Sequence, residues 1–312
     1  MEIKTVIPEY LKHLKSLNRS PYTIAGIKTS LNNFKRFLDQ EKVFDLESLT
    51  AELLEEYQQD LAFSLTAKGT LLCIATQIQI LCNVRDFTAF LKERDYLYHD
   101  PGRKIKVPKQ ARRLPKVILD HQEIKQLLKG PDTQNNRGYR NRLILELLYD
   151  TAIRRIEVSR IKLMDLELKS GFIKILGKGN KERVVPVSER VCQMIRDYLL
   201  FVRPAFVRDP EHDPGYLILN RWGAQMGVNA VWAVVKRCVK QSRIKKNIST
   251  HTLRHTCATH MLRNGAPIRH IQEFLGHESL ESTQIYTHVT INDLKEVHSK
   301  YHPSEKDVKS KT

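Results

Sequence analysis

The chain has 312 residues, 41% hydrophobic and 28% charged, which excludes wholesale disorder and collagen-like repeats and suggests two globular domains. Lys plus Arg is 52 against 35 Asp plus Glu, a net charge of +17. Residues 1–100 hold 12 basic and 14 acidic side chains, whereas residues 101–312 hold 40 and 21, so the excess is confined to the later part and favours a polyanionic partner over a merely high-pI enzyme.

The first hundred residues read as helices. A short first helix is expected around 10–17. Ser20-Pro21 is an N-cap followed by Pro at the first helical position. Ile24, Ile27, Leu31, Phe34 and Leu38 then recur every three or four residues. A second helix is expected after Thr50, with Leu53, Leu54, Tyr57 and Leu61 on its face. A third is expected over 70–92, burying Leu71, Ile74, Ile78, Leu81, Val84, Phe87 and Leu91. Together they predict a compact four-helix unit.

Asp100-Pro101-Gly102 ends that pattern. Residues 101–116 carry Arg103, Lys104, Lys106, Lys109, Arg112, Arg113 and Lys116, no acidic residue and three prolines. An α-helix is not expected there. A linker lying along phosphates is favoured over a merely solvated one.

Beyond it, Asp120 with Glu123 three residues on is a capping box, and Gly130 closes the helix. Residues 142–149 predict a strongly apolar helix. Two β-prone runs, 172–176 and 183–187, flank Gly177-Lys178-Gly179-Asn180-Lys181, the pattern of a β-hairpin with a basic turn. Further helices are expected near 188–202, 228–242, 251–264, 267–275, 281–288 and 292–300, with a frayed end over 304–312.

The five cysteines are scattered with no C-x-x-C pair, which argues for reduced thiols and against a disulfide framework or a cysteine-based zinc site. The opening residues lack a signal-peptide apolar core, and no run approaches a membrane span. A cytoplasmic protein without a membrane role is expected.

Several residues invite chemistry. Lys178 sits between two glycines that allow close backbone approach to a ligand, though the run is not a P-loop. His251-Thr-Leu-Arg254-His255 opens a helix capped by Ser249 or Thr250. His251 and Arg254 share a face at a helix N-terminus, a setting suited to phosphate. His251, His255 and His260 are a weaker zinc candidate, because no carboxylate or cysteine at ligand spacing completes them. Leu275-Gly276-His277 follows a helix, and Tyr286 comes nine residues later.

In this order these boxes resemble the tyrosine recombinase (phage integrase) family, above all its Xer-type members, over nearly the full length. Tyr149-Asp-Thr-Ala-Ile-Arg154 matches the family's arginine turn, with Glu157 at its acidic position. Ala152 stands where the family usually has glycine. Arg154 lies 24 residues before Lys178 and three before Glu157, as the family pattern requires, with Arg155 as the neighbouring alternative. The hairpin lysine matches Lys178, the H-x-L-R-H box gives His251 and Arg254, the L-G-H box gives His277, and the nucleophile matches Tyr286. Residues 297–303 resemble the Xer-type tail.

The resemblance implies a mainly α chain: an N-terminal four-helix core-binding (SAM-like) DNA domain over 1–100, a basic linker over 101–118, and a mixed α+β catalytic domain with a small hairpin sheet over 119–303. It implies strand cleavage by Tyr286 through a 3′-phosphotyrosine. Arg154, Arg254, His251 and His277 would serve the phosphate, Lys178 would be the general acid, and Glu157 would orient its neighbours. Lys181 and Arg183 join the linker's basic residues as DNA contacts. Duplex DNA with specific sites is the implied partner, in a tetramer of this chain or of this chain and a related recombinase, without metal or ATP. A type IB topoisomerase and a non-catalytic DNA-binding protein are the alternatives.

Overall fold

The computed structural model describes residues 1–108, 117–177, 182–276 and 297–303. The chain divides into two compact units, Met1–Arg113 and Leu114–Thr312. Among the described residues no helix is long and apolar enough to cross a membrane.

In the first unit, α1 spans Ile3–Ser16, α2 Pro21–Gln40, α3 Ala51–Phe63 and α4 Ile74–Glu93. Ser20 and Thr50 cap α2 and α3, each accepting the backbone N–H three residues on. The apolar stripes converge on a core in which Leu31, Phe34, Leu54, Leu61 and Phe87 are fully buried. Tyr57 lies against Phe34 and Phe37, with ring centres 4.8 and 5.1 Å away, and donates its hydroxyl to Asn33 Oδ1 at 2.7 Å.

Two expected boundaries move. The first helix starts at Ile3, not near Tyr10, because Ile3, Val6, Ile7, Tyr10 and Leu14 form one buried face. Pro8 inside it gives up the hydrogen bond to the Lys4 carbonyl and crowds that carbonyl with its ring, and the apolar face on either side outweighs that cost. The third expected helix starts at Ile74, not Thr70. Gly69 takes a left-handed φ of 72° in a turn, Leu71 pairs with Leu65 in an isolated bridge, and extended Cys73 is the N-cap. Leu71 and Ile74 are therefore exposed rather than buried.

The second unit contains α5 (His121–Lys129), α6 (Asn136–Asp150), α7 (Arg155–Arg160), β1 (Leu166–Glu167), β2 (Phe172–Leu176), β3 (Glu182–Pro186), α8 (Glu189–Asp197), α9 (Val228–Gln241), α10 (Thr250–Arg263) and α11 (Ile268–Leu275). The capping box at Asp120 and Glu123 forms in both directions. The hairpin pairs antiparallel from Phe172↔Pro186 to Leu176↔Glu182, and short β1 adds a third antiparallel strand that sequence patterning alone does not reveal.

Helix α6 is the axis of this unit. Residues 143–150 are buried all round, as expected of a helix enclosed by neighbours. Its charge there is compensated: buried Glu146 accepts from Arg142 and, through two bonds of 2.8 and 2.5 Å, from Arg190. Buried charge is tolerated when it is paired in this way. The C-terminal turn at 297–303 docks on the end of the same helix. His298 and His302 stack with ring centres 4.6 Å apart, and their Nε2 atoms sit 3.0 and 3.3 Å from the carbonyls of Asp150 and Tyr149. The tract expected to be helical over 281–288 lies outside the described residues, as does most of 292–300.

Candidate active site

The site begins where α6 stops. The chain turns through Thr151, Ala152 and Ile153 and re-enters helix at Arg155, leaving Arg154 as the extended N-cap of α7. Ala152 makes that reversal with a left-handed φ of 49° while fully buried. Left-handed backbone costs a non-glycine residue about 1–2 kcal/mol.

Helix α10 supplies the second arginine. Of the two expected caps, Ser249 is the one that forms: its hydroxyl accepts the N–H of Thr252 at 3.2 Å. His251 stands exposed in the first turn, and Arg254 follows one turn later, buried. Arg254 donates Nη1 to the carbonyl of Ala152 at 2.6 Å and Nη2 to the carbonyl of Leu275. Leu275 is the last residue of α11, where carbonyls lose their intrahelical partners and welcome a cation. Gly276 then ends the helix in the left-handed conformation, φ 62°.

Arg154 reaches the same place. Its Nη2 donates to the Gly276 carbonyl at 3.4 Å and its Nη1 to Glu157 Oε1 at 3.2 Å. Glu157, nearly inaccessible, also accepts the backbone N–H of Arg154 at 2.7 Å through Oε2. From strand β3, Arg183 donates Nη1 and Nη2 to the two carboxylate oxygens at 2.9 and 2.8 Å. Two guanidiniums, those of Arg154 and Arg183, thus hold one carboxylate.

The charge balance shows in the pKa values. Burial pushes the Glu157 carboxyl up, but the Arg183 hydrogen bonds, the Arg154 N–H and the two positive charges prevail and hold it below the usual range. Arg254 is lowered to about 10, first by burial and then by repulsion from Arg154, so it stays cationic at neutral pH. A cluster with surplus positive charge and fixed guanidiniums is prepared for an anion such as a phosphodiester.

Of the sequence-derived candidates, the structure brings Arg154, Arg254, Glu157 and Arg183 together and puts His251 one turn from Arg254. Lys178, Lys181, His277 and Tyr286 lie outside the described residues, as do Lys109, Arg112, Arg113 and Lys116. Arg103, Lys104 and Lys106 are exposed in the first unit, the first two on a 3-10 turn at Pro101–Lys104.

Among the described residues, Asp150, His298 and His302 form a group able to hold a metal ion, with ligand atoms within 4.8 Å of one another. Hydrogen bonds already engage them: both histidines sit on backbone carbonyls, and Asp150 accepts the N–H and hydroxyl of Ser188 at 2.9 and 2.7 Å. The cluster reads as a docking joint for the C-terminal turn.

The model of the phage integrase family matches residues 118–293. Tyrosine recombinase XerD of Staphylococcus haemolyticus is 34% identical over 303 residues, covering 96% of this chain and 99% of that protein. XerD of Listeria innocua is 40% identical over 223 residues, covering 72% and 74%.

The chain belongs to the phage integrase family.

Within the family it is a Xer-like tyrosine recombinase, an enzyme of site-specific DNA recombination. Solved structures share its fold. A lambda integrase tetramer bound to a Holliday junction superposes with a TM-score of 0.69 at 15% identity, covering 90% of this chain and 76% of that one. XerH recombinase in a pre-cleavage complex with its difH substrate gives 0.65 at 22%, covering 94% and 83%.

Two features of the recombinase's site have no signature in the sequence. One is the commitment of Arg183 to Glu157, for which the sequence carries no cue beyond an arginine on the hairpin's second strand. The other is the use of the Leu275 and Gly276 carbonyls to seat both arginines. The helix end before Gly276 was legible, but its partners depend on tertiary placement.

Proposed function

We propose that this recombinase cuts and rejoins duplex DNA at specific sites, with Tyr286 as nucleophile. The Tyr286 oxygen attacks the scissile phosphorus, and the 5′-oxygen leaves with a proton from Lys178. The resulting 3′-phosphotyrosine keeps the energy of the broken bond, and the 5′-hydroxyl of a partner strand reverses the step. Arg154 and Arg254 neutralise the non-bridging oxygens as charge builds in the transition state. His251 hydrogen-bonds the same phosphate and exchanges the tyrosine's proton, and His277 adds a further contact. Tyrosine has a free pKa of ~10, so it depends on these surroundings to react at neutral pH. Glu157 keeps Arg154 in place.

The observation that carries this reading is the convergence of Arg154 and Arg254 on the carbonyls that end α11, one residue before His277. Fixed cations at that point supply the charge that a divalent metal would otherwise provide, so no cofactor enters the scheme. Specific duplex sites, a tetramer of this chain alone or with a related recombinase, and a cytoplasmic setting complete the proposal. Residues 1–100 serve as a core-binding domain, 101–118 as a basic linker and 119–303 as the catalytic domain.

The test uses a duplex that the protein itself enriches from a randomised pool, nicked beside the cleavage point so that cleaved product cannot religate. The parent should trap covalently on it in EDTA without nucleotide, and Tyr286→Phe should bind it without trapping. Covalent trapping by Tyr286→Phe, or restoration of a chelated reaction by magnesium, would refute the scheme.

A further inference from the structure

Arg183 is the one charged side chain in the arginine cluster with no role in the scheme above. Its place on a basic hairpin suggests a phosphate contact, but its geometry argues otherwise. Both terminal nitrogens donate to Glu157 in a bidentate pair, the strongest arrangement available to a guanidinium. The side chain is 18% exposed, against 34% for Arg154. Reaching DNA would mean breaking a buried pair and leaving the Glu157 carboxylate short of partners, which is strongly unfavourable.

The rest of the side chain is equally confined. Nε is buried and has no hydrogen-bond partner among the described residues. It lies against Gly276, where an added Cβ would come within 3.0 Å of Nε and 3.3 Å of the guanidinium carbon. Gly276 therefore leaves the room that Arg183 occupies. Its carbonyl in turn receives Nη2 of Arg154. Arg183 touches both anchors of Arg154: the Glu157 carboxylate and the Gly276 turn.

Glu157 is saturated as a result. Oε1 takes Nη1 of Arg154 and of Arg183; Oε2 takes the Arg154 N–H and Nη2 of Arg183. Without Arg183, two of these four bonds vanish and the carboxylate is free to rotate. It would then pair more fully with Arg154, drawing that guanidinium inward and away from an incoming phosphate.

We propose that Arg183 is a positioning residue for strand cleavage: by clamping Glu157 and packing on Gly276, it holds the Arg154 guanidinium where the scissile phosphate will sit. The proposal rests on the assignment of Arg154 to that phosphate.

The experiment compares Arg183→Gln, Arg183→Lys, Arg154→Ala and the Arg154→Ala/Arg183→Gln double variant on the nicked duplex described above. Cleavage rates are read at saturating protein, binding is titrated at several salt concentrations, and a urea melt verifies folding. Arg183→Gln should slow cleavage on the order of 10- to 100-fold, the scale of a catalytic group misplaced by about an ångström. Arg183→Lys, which keeps the charge and one hydrogen bond, should recover part of the rate. The double variant should match Arg154→Ala within about twofold, because Arg183 acts through Arg154. In the Arg154→Ala background, Arg183→Gln should leave the log–log salt slope unchanged.

An unaltered rate in Arg183→Gln, or losses that multiply in the double variant, would overturn the proposal. So would a slope flattened by a further ~0.9 when Arg183→Gln is added to Arg154→Ala, the mark of a phosphate contact made by Arg183 itself. If Arg183→Gln does not fold, Arg183→Lys with Arg154→Ala supplies the same comparison. If Arg154→Ala cleaves like the parent, the phosphate assignment itself fails and takes this proposal with it. A slow Arg154→Ala beside fully active Arg183 variants removes this proposal alone.

Discussion

Arg254 and Ala152 are joined by a 2.6 Å hydrogen bond that exists because Ala152 adopts a backbone glycine would take more readily. The left-handed φ of 49° turns the chain sharply after α6 and points the Ala152 carbonyl at the Arg254 guanidinium. The same reversal delivers Arg154 to the start of α7 two residues later. One strained residue therefore sets both arginines, and backbone strain of this kind is held where the surrounding structure over-determines it.

Replacing Ala152 by glycine should be nearly neutral. Relief of left-handed strain returns about 1–2 kcal/mol. Against it stand about 0.4–1 kcal/mol from the more flexible unfolded chain and about 0.8 kcal/mol for one buried methyl. Ala152→Gly should therefore unfold within about 1 kcal/mol of the parent and keep its cleavage rate. Ala152→Val places a β-branched side chain at positive φ in a filled site and should lose more than about 2 kcal/mol. Urea melts of both variants decide; a valine variant as stable as the parent would mean that the turn relaxes without strain.

The two arginines should be separable from their neighbour. Arg154→Ala and Arg254→Ala are each expected to slow cleavage on the order of 10²-fold or more, by analogy with the loss of an oxyanion donor. Arg155, already inside α7, should cost far less when changed to alanine. Single-turnover trapping measures all three. A larger loss at Arg155 would move the phosphate-binding role to that side chain.

How much of this was readable in advance depended on how local each cause was. The Ser20 cap, the Asp120 capping box and the two strands of the hairpin follow from residues close in sequence and form as expected, the second strand one residue earlier than its β-prone run. The start of α4 is not legible in the pattern because Leu71 and Ile74 continue the apolar spacing, while the turn at Gly69 and the Leu65–Leu71 bridge interrupt the helix. Strand β1 has two residues, too few for any period. In the site, residue types were legible but their pairing was not: the Arg183–Glu157 bonds span 26 positions and the Arg254–Leu275 bond 21. No spacing rule encodes contacts made by tertiary packing.

The basic linker should contribute affinity and not chemistry. Residues 101–116 carry seven positive charges among three prolines, a sequence suited to tracking phosphates. Each phosphate neutralised steepens the log–log salt dependence of binding by ~0.9. Changing Arg112, Arg113 and Lys116 together to alanine should weaken binding and flatten the slope by up to ~3. Sequence preference should hold, because phosphate contacts carry no base information. Titrations at several salt concentrations test this, and an unchanged slope would show that the three side chains face solvent.

Acid should unfold the second unit through two buried histidines. His302 is lowered to about 3, mainly by burial and then by the neighbouring His298 charge, with Asp150 and the Tyr149 carbonyl opposing and Arg190 adding a little. His260 is lowered to about 4 by burial first and by His121, with which it stacks at 4.2 Å; its Nδ1 is 3.0 Å from the Tyr149 hydroxyl. An unfolded histidine titrates near ~6.5. Below that pH the unfolded chain binds protons that the folded chain refuses, so each histidine's contribution is complete above ~6.5 and declines as pH falls toward its folded value. The slope is about 1.4 kcal/mol per pH unit per group, or roughly 2 kcal/mol for the pair between pH 6 and 5. Asp150 acts in the same direction at still lower pH: burial pushes its carboxyl up, but the neighbouring His298 and the hydrogen bonds from Ser188 hold it below the usual range. Urea melts at pH 7, 6 and 5 measure the effect. His302→Gln, which can still donate to the Tyr149 carbonyl, should start less stable at pH 7 but lose about 1 kcal/mol less per pH unit. A parent whose stability stays level down to pH 5 would show that these histidines are not buried neutral.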